Sequence, residues 1–292
     1  MKFGIYYAYW EKQWGGDYLK YPSRVAKLGF DILEIACTGV ADMTASQIGE
    51  LNRAVEDSGI SLTAGHGPNP NQNITSADPA VVANAFDFWQ RTFAALERLR
   101  VPFVGGALYS YWPVDFSQPI DKARDRARSV AEMKKLARIA ANHGITLGME
   151  ALNRFEGYLL NTAEEAAAYV RDVGEPNVKV MLDTFHMNIE EDSMTDAIRT
   201  AGPHLGNLHV GEANRKPPYE NSRMDWRALG AALRETGYNG TVVMEPFVIP
   251  GGRVGSDIKV WRNLVADTSA AALDREAQKS VAFLRSVFSN KN

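Results

Sequence analysis

The stretch Asn142-His143-Gly144-Ile145-Thr146-Leu147-Gly148-Met149-Glu150 holds the pattern that decides the fold. A helical segment ends at Gly144, and an apolar run that favours a β-strand follows at once. Glycine just beyond a helix adopts the left-handed conformation without the steric penalty of a Cβ atom. The same change from helix to strand recurs at Gly29, Gly59 and Gly237. This repetition indicates a chain of alternating helices and strands.

Other apolar runs bring the predicted strands to eight. They lie near Lys2–Tyr7, Asp31–Cys37, Ser61–Gly65, Phe103–Leu108, Thr146–Ala151, Lys179–Asp183, Gly206–Val210 and Thr241–Phe247. Thr44–Gln47 and Thr162–Glu165 match the capping box of a helix start, and Asp78-Pro79 places proline at a first helical position. Eight strands alternating with helices predict the α/β class and a single (β/α)8 TIM barrel. An open doubly wound sheet is the alternative, but the sequence lacks the G-x-G-x-x-G and Walker A patterns that would support it.

Composition and charge are those of a folded globular protein. Of 292 residues, 45% are hydrophobic and 23% charged, which argues against disorder. The formal net charge of −3 gives no basic surface for nucleic acid. We expect residues 1–292 to form one TIM-barrel domain with a C-terminal helical extension.

The sequence predicts a cytoplasmic protein without a membrane partner. The N-terminal segment has one early charge, Lys2, and a short aromatic run that Glu11 ends, which makes a poor signal peptide. The uncharged run at 101–114 is too short to span a bilayer. The one cysteine, Cys37, permits no intramolecular disulfide and suits a reducing compartment.

Ionisable residues stand at the ends of four consecutive predicted strands: Glu150, Asp183, His209 and Glu245. Catalytic groups of a TIM barrel lie at the carboxyl ends of its strands. Each residue alone could cap a helix or pack in the core. Together they would be costly to bury without a partner, and a bound cation satisfies all four.

Three carboxylates and one imidazole favour Mn²⁺, Mg²⁺ or Co²⁺ over a thiolate-type zinc site. The general order of affinities of divalent metals does not by itself exclude Zn²⁺. With a divalent ion the set keeps one excess negative charge. Arg215, in the loop after His209, is the candidate cation beside it.

Several segments around these residues resemble one enzyme family. They are Asn153–Glu156, Met181–Glu191, His209–Arg215 and Glu245–Val248. They are similar to the ketose 3-epimerases, the group of D-tagatose 3-epimerase and D-psicose (D-allulose) 3-epimerase. The resemblance runs from the first strand to Arg262, and Met-Leu-Asp-Thr-Phe-His-Met-Asn is its most specific part.

The resemblance implies a TIM barrel with one divalent ion per subunit, most often Mn²⁺, Co²⁺ or Mg²⁺, in a homodimer or homotetramer. It implies that the metal ligands are Glu150, Asp183, His209 and Glu245. It also implies that the sugar oxygens near C1 to C3 are bound by Glu156, His186 and Arg215. His66 departs from the apolar residue usual at its turn, and we assign it no role.

Each of these residues also has an ordinary structural interpretation. His186 could orient Asp183, and Glu156 and Arg215 could be solvated loop charges. Trp14, Trp112 and Phe247 are expected to form an apolar wall for the C4–C6 end of the sugar, although Phe247 equally suits the core. We also assign Tyr6, which ends the first strand, and Ala107 to substrate binding. The Gly105-Gly106-Ala107 turn is equally consistent with a tight barrel layer.

Epimerisation at C3 requires two proton transfers on opposite faces of the sugar. The C3 proton lies α to the C2 carbonyl, so its removal gives a cis-enediolate. Reprotonation from the other face inverts the centre. We expect Glu150 and Glu245 to be this catalytic acid–base pair while also contacting the metal.

Three other functions remain open at this stage. An aldose–ketose isomerase would use the same enediolate chemistry between C1 and C2. An endonuclease-like metal hydrolase would need several metals, many histidines and a basic surface, whereas this chain has five His and a net charge of −3. A sugar-binding barrel without activity would not need the glutamate pair. The preferred ketose is open among D-fructose/D-psicose, D-tagatose/D-sorbose and L-ribulose/L-xylulose.

Overall fold

The computed structural model describes residues 1–289, so the last three residues of the predicted domain lie outside the described part. Eight parallel strands close into a barrel in sequence order, and β8 pairs with β1, which confirms the predicted TIM barrel. The strands are β1 Lys2–Tyr6, β2 Ile32–Ala36, β3 Ser61–His66, β4 Phe103–Gly106, β5 Thr146–Glu150, β6 Val178–Asp183, β7 Leu205–Val210 and β8 Thr241–Met244.

Helices surround the barrel. They are α1 Pro22–Lys27, α2 Ala45–Ser58, α3 Pro79–Arg98, α4 Lys122–Asn142, α5 Ala163–Val173, α6 Thr184–Glu190, α7 Met194–Ala201, α8 Trp226–Glu235, α9 Gly252–Asp257 and α10 Ala270–Ser289. The C-terminal helix α10 packs on α8 and, through the 2.8 Å ion pair of Asp274 with Arg24, on α1. It thereby closes the helical ring between α8 and α1.

The predicted helix boundaries follow local chemistry. Gly144 has φ +68°, the left-handed conformation that the sequence pattern predicts. Thr44 and Gln47 form the complete capping box. At the start of α5, Thr162 accepts from the Glu165 N–H, but the Glu165 carboxylate binds Asn161 N at 2.7 Å. The second capping box is therefore only half formed.

Strands β4 and β8 end two and three residues earlier than predicted, which affects the rim of the barrel. Strand β4 ends at Gly106, whose φ of +125° turns the chain out of the sheet, and β8 ends at Met244. Ala107 and Phe247 consequently lie in loops at the mouth rather than in strands.

Tight packing fills the lower barrel. A side chain at Gly148 would collide with the ring of Phe103, and one at Gly105 would collide with Met181. Gly105, next to the Gly106-Ala107 turn, therefore belongs to a tightly packed layer of the barrel. Polar groups lie at the carboxyl ends of the strands. No helix within residues 1–289 is long and apolar enough to cross a membrane. The cytoplasmic location stays a prediction.

Candidate active site

The barrel brings the four strand-end residues together. Glu150 ends β5, Asp183 ends β6, His209 is next to last in β7, and Glu245 follows β8. Ligand atoms of Asp183, His209 and Glu245 lie within 4.8 Å of one another, and so do those of Glu150, Asp183 and His186. Asp183 belongs to both groups, so it connects the two glutamates.

A cavity of about 360 Å³ opens above these groups. Its walls include eleven of the predicted site residues: Tyr6, Trp14, Ala107, Trp112, Glu150, Glu156, His186, His209, Arg215, Glu245 and Phe247. His66 also lines it. Asp183 is 1% exposed and lies beneath the cavity, in contact with Arg215.

Arg215 is buried and paired, so its interpretation as a solvated loop charge is wrong. Its Nη1 donates to Asp183 Oδ2 at 3.1 Å and to Glu245 Oε2 at 3.0 Å. The guanidinium carbon lies 3.7 Å from the centre of the Phe185 ring. Burial by itself lowers the pKa of Arg215, but Asp183 and Glu245 outweigh burial and raise it, so the side chain stays charged.

A tight turn holds Arg215 in place. Arg215 has φ +65°, a left-handed conformation that costs a non-glycine residue on the order of 1–3 kcal/mol. Its N–H donates to Glu212 O at 2.8 Å, and its carbonyl accepts from Phe247 N at 2.8 Å. The buried Glu212 carboxylate accepts from Trp226 Nε1 at 2.9 Å, which anchors the turn to α8.

The hydrogen bonds of His186 fix its tautomer. Its Nδ1 accepts from the backbone N–H of Asn153 at 3.2 Å and lies 2.7 Å from the Asn153 amide nitrogen. Burial lowers the pKa of His186, which favours the neutral ring. The ring hydrogen is therefore on Nε2, 3.7 Å from Glu150 Oε1. In this tautomer Nε2 donates to an oxygen and has no lone pair for a metal.

His209 has the opposite arrangement. Its Nε2 lies 2.7 Å from Glu34 Oε1, a short contact that is not aligned as a hydrogen bond. Its Nδ1 is buried without a hydrogen-bond partner, 3.7 Å from Glu245 Oε1. Because a carboxylate faces Nε2, the lone pair of the neutral ring is on Nδ1, as in a metal ligand oriented by a carboxylate.

Protonation competes with a metal at His209. Burial by itself lowers the pKa of His209, but Glu34 and Glu245 outweigh burial and raise it well above the ordinary value. A metal cation bound at Nδ1 would replace the proton on that nitrogen, so metal binding would release a proton.

Glu34 is the functional candidate that the sequence analysis missed. It is fully buried within β2, and its Oε2 accepts from Thr63 Oγ1 at 2.9 Å. A lone carboxylate in the apolar run Ile32-Leu33-Glu34-Ile35 was the available signal. Its partner on β7 could not be identified from local sequence.

Glu156 is held by several partners and is not a solvated loop charge. Its Oε2 accepts from Trp112 Nε1 at 3.2 Å, and its Oε1 accepts from Asn153 Nδ2 at 3.1 Å. Burial alone raises the pKa of Glu156, but His186 and Arg215 outweigh burial and lower it. The carboxylate is ionised at neutral pH and faces the cavity.

The charge balance of the site favours a cation. Five carboxylates lie at or near the cavity floor: Glu34, Glu150, Glu156, Asp183 and Glu245. The guanidinium of Arg215 faces them, while the second arginine of the cavity wall, Arg253, is paired with Asp257. Burial, and then Glu245, raise the pKa of Glu150 well above its ordinary value. With the unpartnered Nδ1 of His209, these oxygen donors can hold a metal ion.

Aromatic rings line the rest of the cavity. Trp14 contacts Trp112 edge-on, with ring centres 6.3 Å apart, and Phe247 at 6.0 Å. Tyr6 meets Phe247 at 6.2 Å. The three residues predicted to form an apolar wall therefore lie together.

Comparison with known proteins places the chain in a family. Residues 22–285 match the model of the xylose isomerase-like TIM barrel family. The chain is 53% identical to a D-psicose 3-epimerase from Ruminiclostridium cellulolyticum over 98% of each protein. It is 51% identical to one from Agrobacterium fabrum over 98% of this chain and 99% of that protein. A crystal structure of D-psicose 3-epimerase with D-tagatose from Clostridium cellulolyticum H10 has a TM-score of 0.97 at 52% identity, with 99% of each chain covered. The chain therefore belongs to the xylose isomerase-like TIM barrel family and, within it, to the ketose 3-epimerases.

Proposed function

We propose that this enzyme inverts C3 of free ketoses, interconverting D-fructose and D-psicose, D-tagatose and D-sorbose, or L-ribulose and L-xylulose. The observation that carries the proposal is the position of Glu150 and Glu245, each grouped with Asp183 at the floor of one cavity. Two carboxylates at one carbon supply the base and the acid that inversion requires. The relatives named D-psicose 3-epimerase support the same reaction.

The donor set would hold one divalent ion through Glu150, Asp183, His209 and Glu245. Mn²⁺ is the ion that we propose, with Co²⁺ and Mg²⁺ as alternatives, because oxygen donors dominate the set. Bound there, the ion would polarise the C2 carbonyl and offset the negative charge of the enediolate.

Three side chains then orient the sugar oxygens near C1 to C3. The Nε2–H of His186 and the guanidinium of Arg215 are hydrogen-bond donors at the cavity floor. The Glu156 carboxylate accepts from a sugar hydroxyl. Because Asn153 fixes both His186 and Glu156, donor and acceptor are already in place before the sugar binds.

The two glutamates carry the proton transfers. One carboxylate takes the proton from C3, and the electron pair of the C3–H bond forms the C2–C3 double bond while the carbonyl electrons move to O2. The other glutamate, protonated, then gives its proton to C3 on the opposite face as the carbonyl forms again. The reverse reaction exchanges the two roles.

The apolar wall holds the rest of the sugar. Trp14, Trp112 and Phe247 offer ring faces and edges to the C4–C6 carbons, while Tyr6 and Ala107 close the side.

Product analysis of a small ketose panel tests the proposal. We expect the Mn²⁺-loaded enzyme to convert at least one ketose into its C3 epimer, as resolved by sugar chromatography. An aldose product would support the isomerase instead. Unchanged sugars across the panel would reject both functions.

We also propose that the enzyme is a homodimer or homotetramer. Phe155 and Trp261 are 72% and 71% exposed and line one groove with Ile189 beside the cavity. Apolar surface of this kind is typical of interfaces. Light scattering should give a mass of two or four chains, and F155S/W261S should lower it. A monomeric wild-type protein at micromolar concentration would contradict the proposal.

A further inference from the structure

The carboxylate of Asp257, at the end of helix α9 after β8, joins this helix to the loop that follows β1. Its Oδ2 accepts from Trp14 Nε1 at 2.8 Å and from Arg253 Nε at 2.8 Å. The side chain of Asp257 is 14% exposed, whereas that of Arg253 is 66% exposed. A backbone hydrogen bond of 3.1 Å from Val254 N to Lys12 O joins the same two segments.

Trp14 is the aromatic residue through which this connection joins the apolar wall of the cavity, which Arg253 and Asp257 also line. Its ring lies between Trp112 and Phe247, with centre distances of 6.3 and 6.0 Å, and all three rings line the cavity. The loop around Trp14 carries Gly15 and Gly16 with φ of +76° and +120°, so its backbone lies outside regular structure. The hydrogen bond from the Trp14 indole N–H to Asp257 therefore constrains the orientation of the ring that contacts Trp112 and Phe247.

We propose that Asp257 is a positioning residue for sugar binding. It acts through Trp14 and fixes the indole plane, so that the wall for the C4–C6 end is formed before the sugar enters. This inference rests on the proposed ketose function. Asp257 acts on binding of the far end of the sugar, not on proton transfer at C3, because its hydrogen bonds go to Trp14 and Arg253 rather than to the floor residues Glu150 and Asp183.

A double-mutant cycle tests the connection. We expect D257A to raise KM for the best ketose by roughly 3- to 10-fold with kcat nearly unchanged, since it removes one hydrogen bond that preorganises binding. D257N should restore KM to within about twofold of wild type because its amide oxygen still accepts from Trp14. W14F removes the N–H, so D257A should add less than about twofold in the W14F background. R253A, which leaves the Trp14 bond intact, should change KM less than D257A.

Three results would overturn the inference. They are an equal effect of D257A in the wild-type and W14F backgrounds, a loss of kcat with unchanged KM, and a KM in D257N as high as in D257A. If D257A does not fold, the KM values of D257N and W14F provide the test. An unchanged KM in W14F would overturn the inference. Turnover by the wild type separates the two proposals. An inactive wild-type enzyme would contradict the proposed function. An active wild type together with an unchanged KM in D257A would contradict only the role of Asp257.

Discussion

Glu34 Oε1 lies 2.7 Å from His209 Nε2, although β2 and β7 are not neighbours in the barrel. Glu34 is fully buried and Thr63 fixes its second oxygen at 2.9 Å. The contact turns the free Nδ1 of His209 towards Glu245. Glu34, which the local sequence shows only as part of strand β2, thus sets the orientation of His209, a predicted metal ligand.

Removing the Glu34 charge should weaken metal binding. We expect E34Q to lower Mn²⁺ affinity by about 10- to 100-fold, the usual effect of losing a carboxylate that orients a ligand histidine. Calorimetric titration of the metal-free enzyme measures it. T63V, which removes only the hydrogen bond to Glu34, is the matched control and should have a smaller effect in the same direction. Wild-type affinity in E34Q would refute the role of Glu34.

The two histidines should respond differently to the same substitution. H209Q should lose most Mn²⁺ affinity, because Nδ1 of His209 has no hydrogen-bond partner and offers its lone pair to a metal once its proton is displaced. H186Q should bind Mn²⁺ normally but lose roughly 10- to 100-fold in kcat/KM, since a flexible amide replaces the rigid ring whose Nε2–H is held towards the substrate. Metal titration and steady-state kinetics on both variants check this. Metal loss in H186Q with normal binding in H209Q would reverse the assignment.

Each member of the glutamate pair should be essential for the rate. We expect E150Q and E245Q each to lower kcat by about 10² to 10⁴, the range of a positioned acid or base. Both variants are compared at saturating Mn²⁺ with the bound metal quantified. If each variant retains its metal and loses less than tenfold in rate, the two-carboxylate mechanism is wrong.

His66 should make the fold sensitive to acid. Burial lowers the pKa of His66 to about 4, while its Nε2 lies 3.2 Å from Gln72 Oε1 and its ring stacks on Phe88. A histidine whose folded pKa lies below its ordinary value contributes stability above about pH 6.5, and that contribution is lost as the pH falls towards 4.

Urea unfolding between pH 7.5 and 4.5 measures this loss in the metal-free protein. H66F keeps a ring but removes the titrating group, so its unfolding free energy should fall less over that range than that of the wild type. H204N, changed at the other end of the barrel before β7, should behave like wild type. Parallel pH curves for H66F and wild type would show that His66 is not the responsible group.

The barrel could be predicted because its signals are local. Gly144 and the other helix-ending glycines, followed by apolar runs, mark each αβ unit within a few residues. The end of β4 was misplaced because the positive φ of Gly106, which turns the chain outward, depends on packing against β3. The missing half of the Thr162 capping box has a similar cause, since Glu165 is drawn to Lys122 on α4.

The candidate site could be predicted for residues that stand at the ends of strands. It could not be predicted for residues whose contacts cross the barrel. Glu150, Asp183 and His209 follow apolar runs, so the fold alone places them at the mouth. The contacts Glu34–His209 and Trp14–Asp257 join segments far apart in the chain, and no local pattern carries them. The burial of Arg215 depends in the same way on Asp183 and Glu245.

Deuterium incorporation is the most direct test of proton transfer at C3. The Mn²⁺-loaded enzyme is incubated with the ketose panel in D₂O, with E150Q as the matched control, and proton NMR follows each carbon. We expect deuterium at C3 together with the C3 epimer, and strongly reduced incorporation in E150Q. Deuterium at C1 with aldose formation, or no exchange in any ketose, would contradict epimerisation at C3.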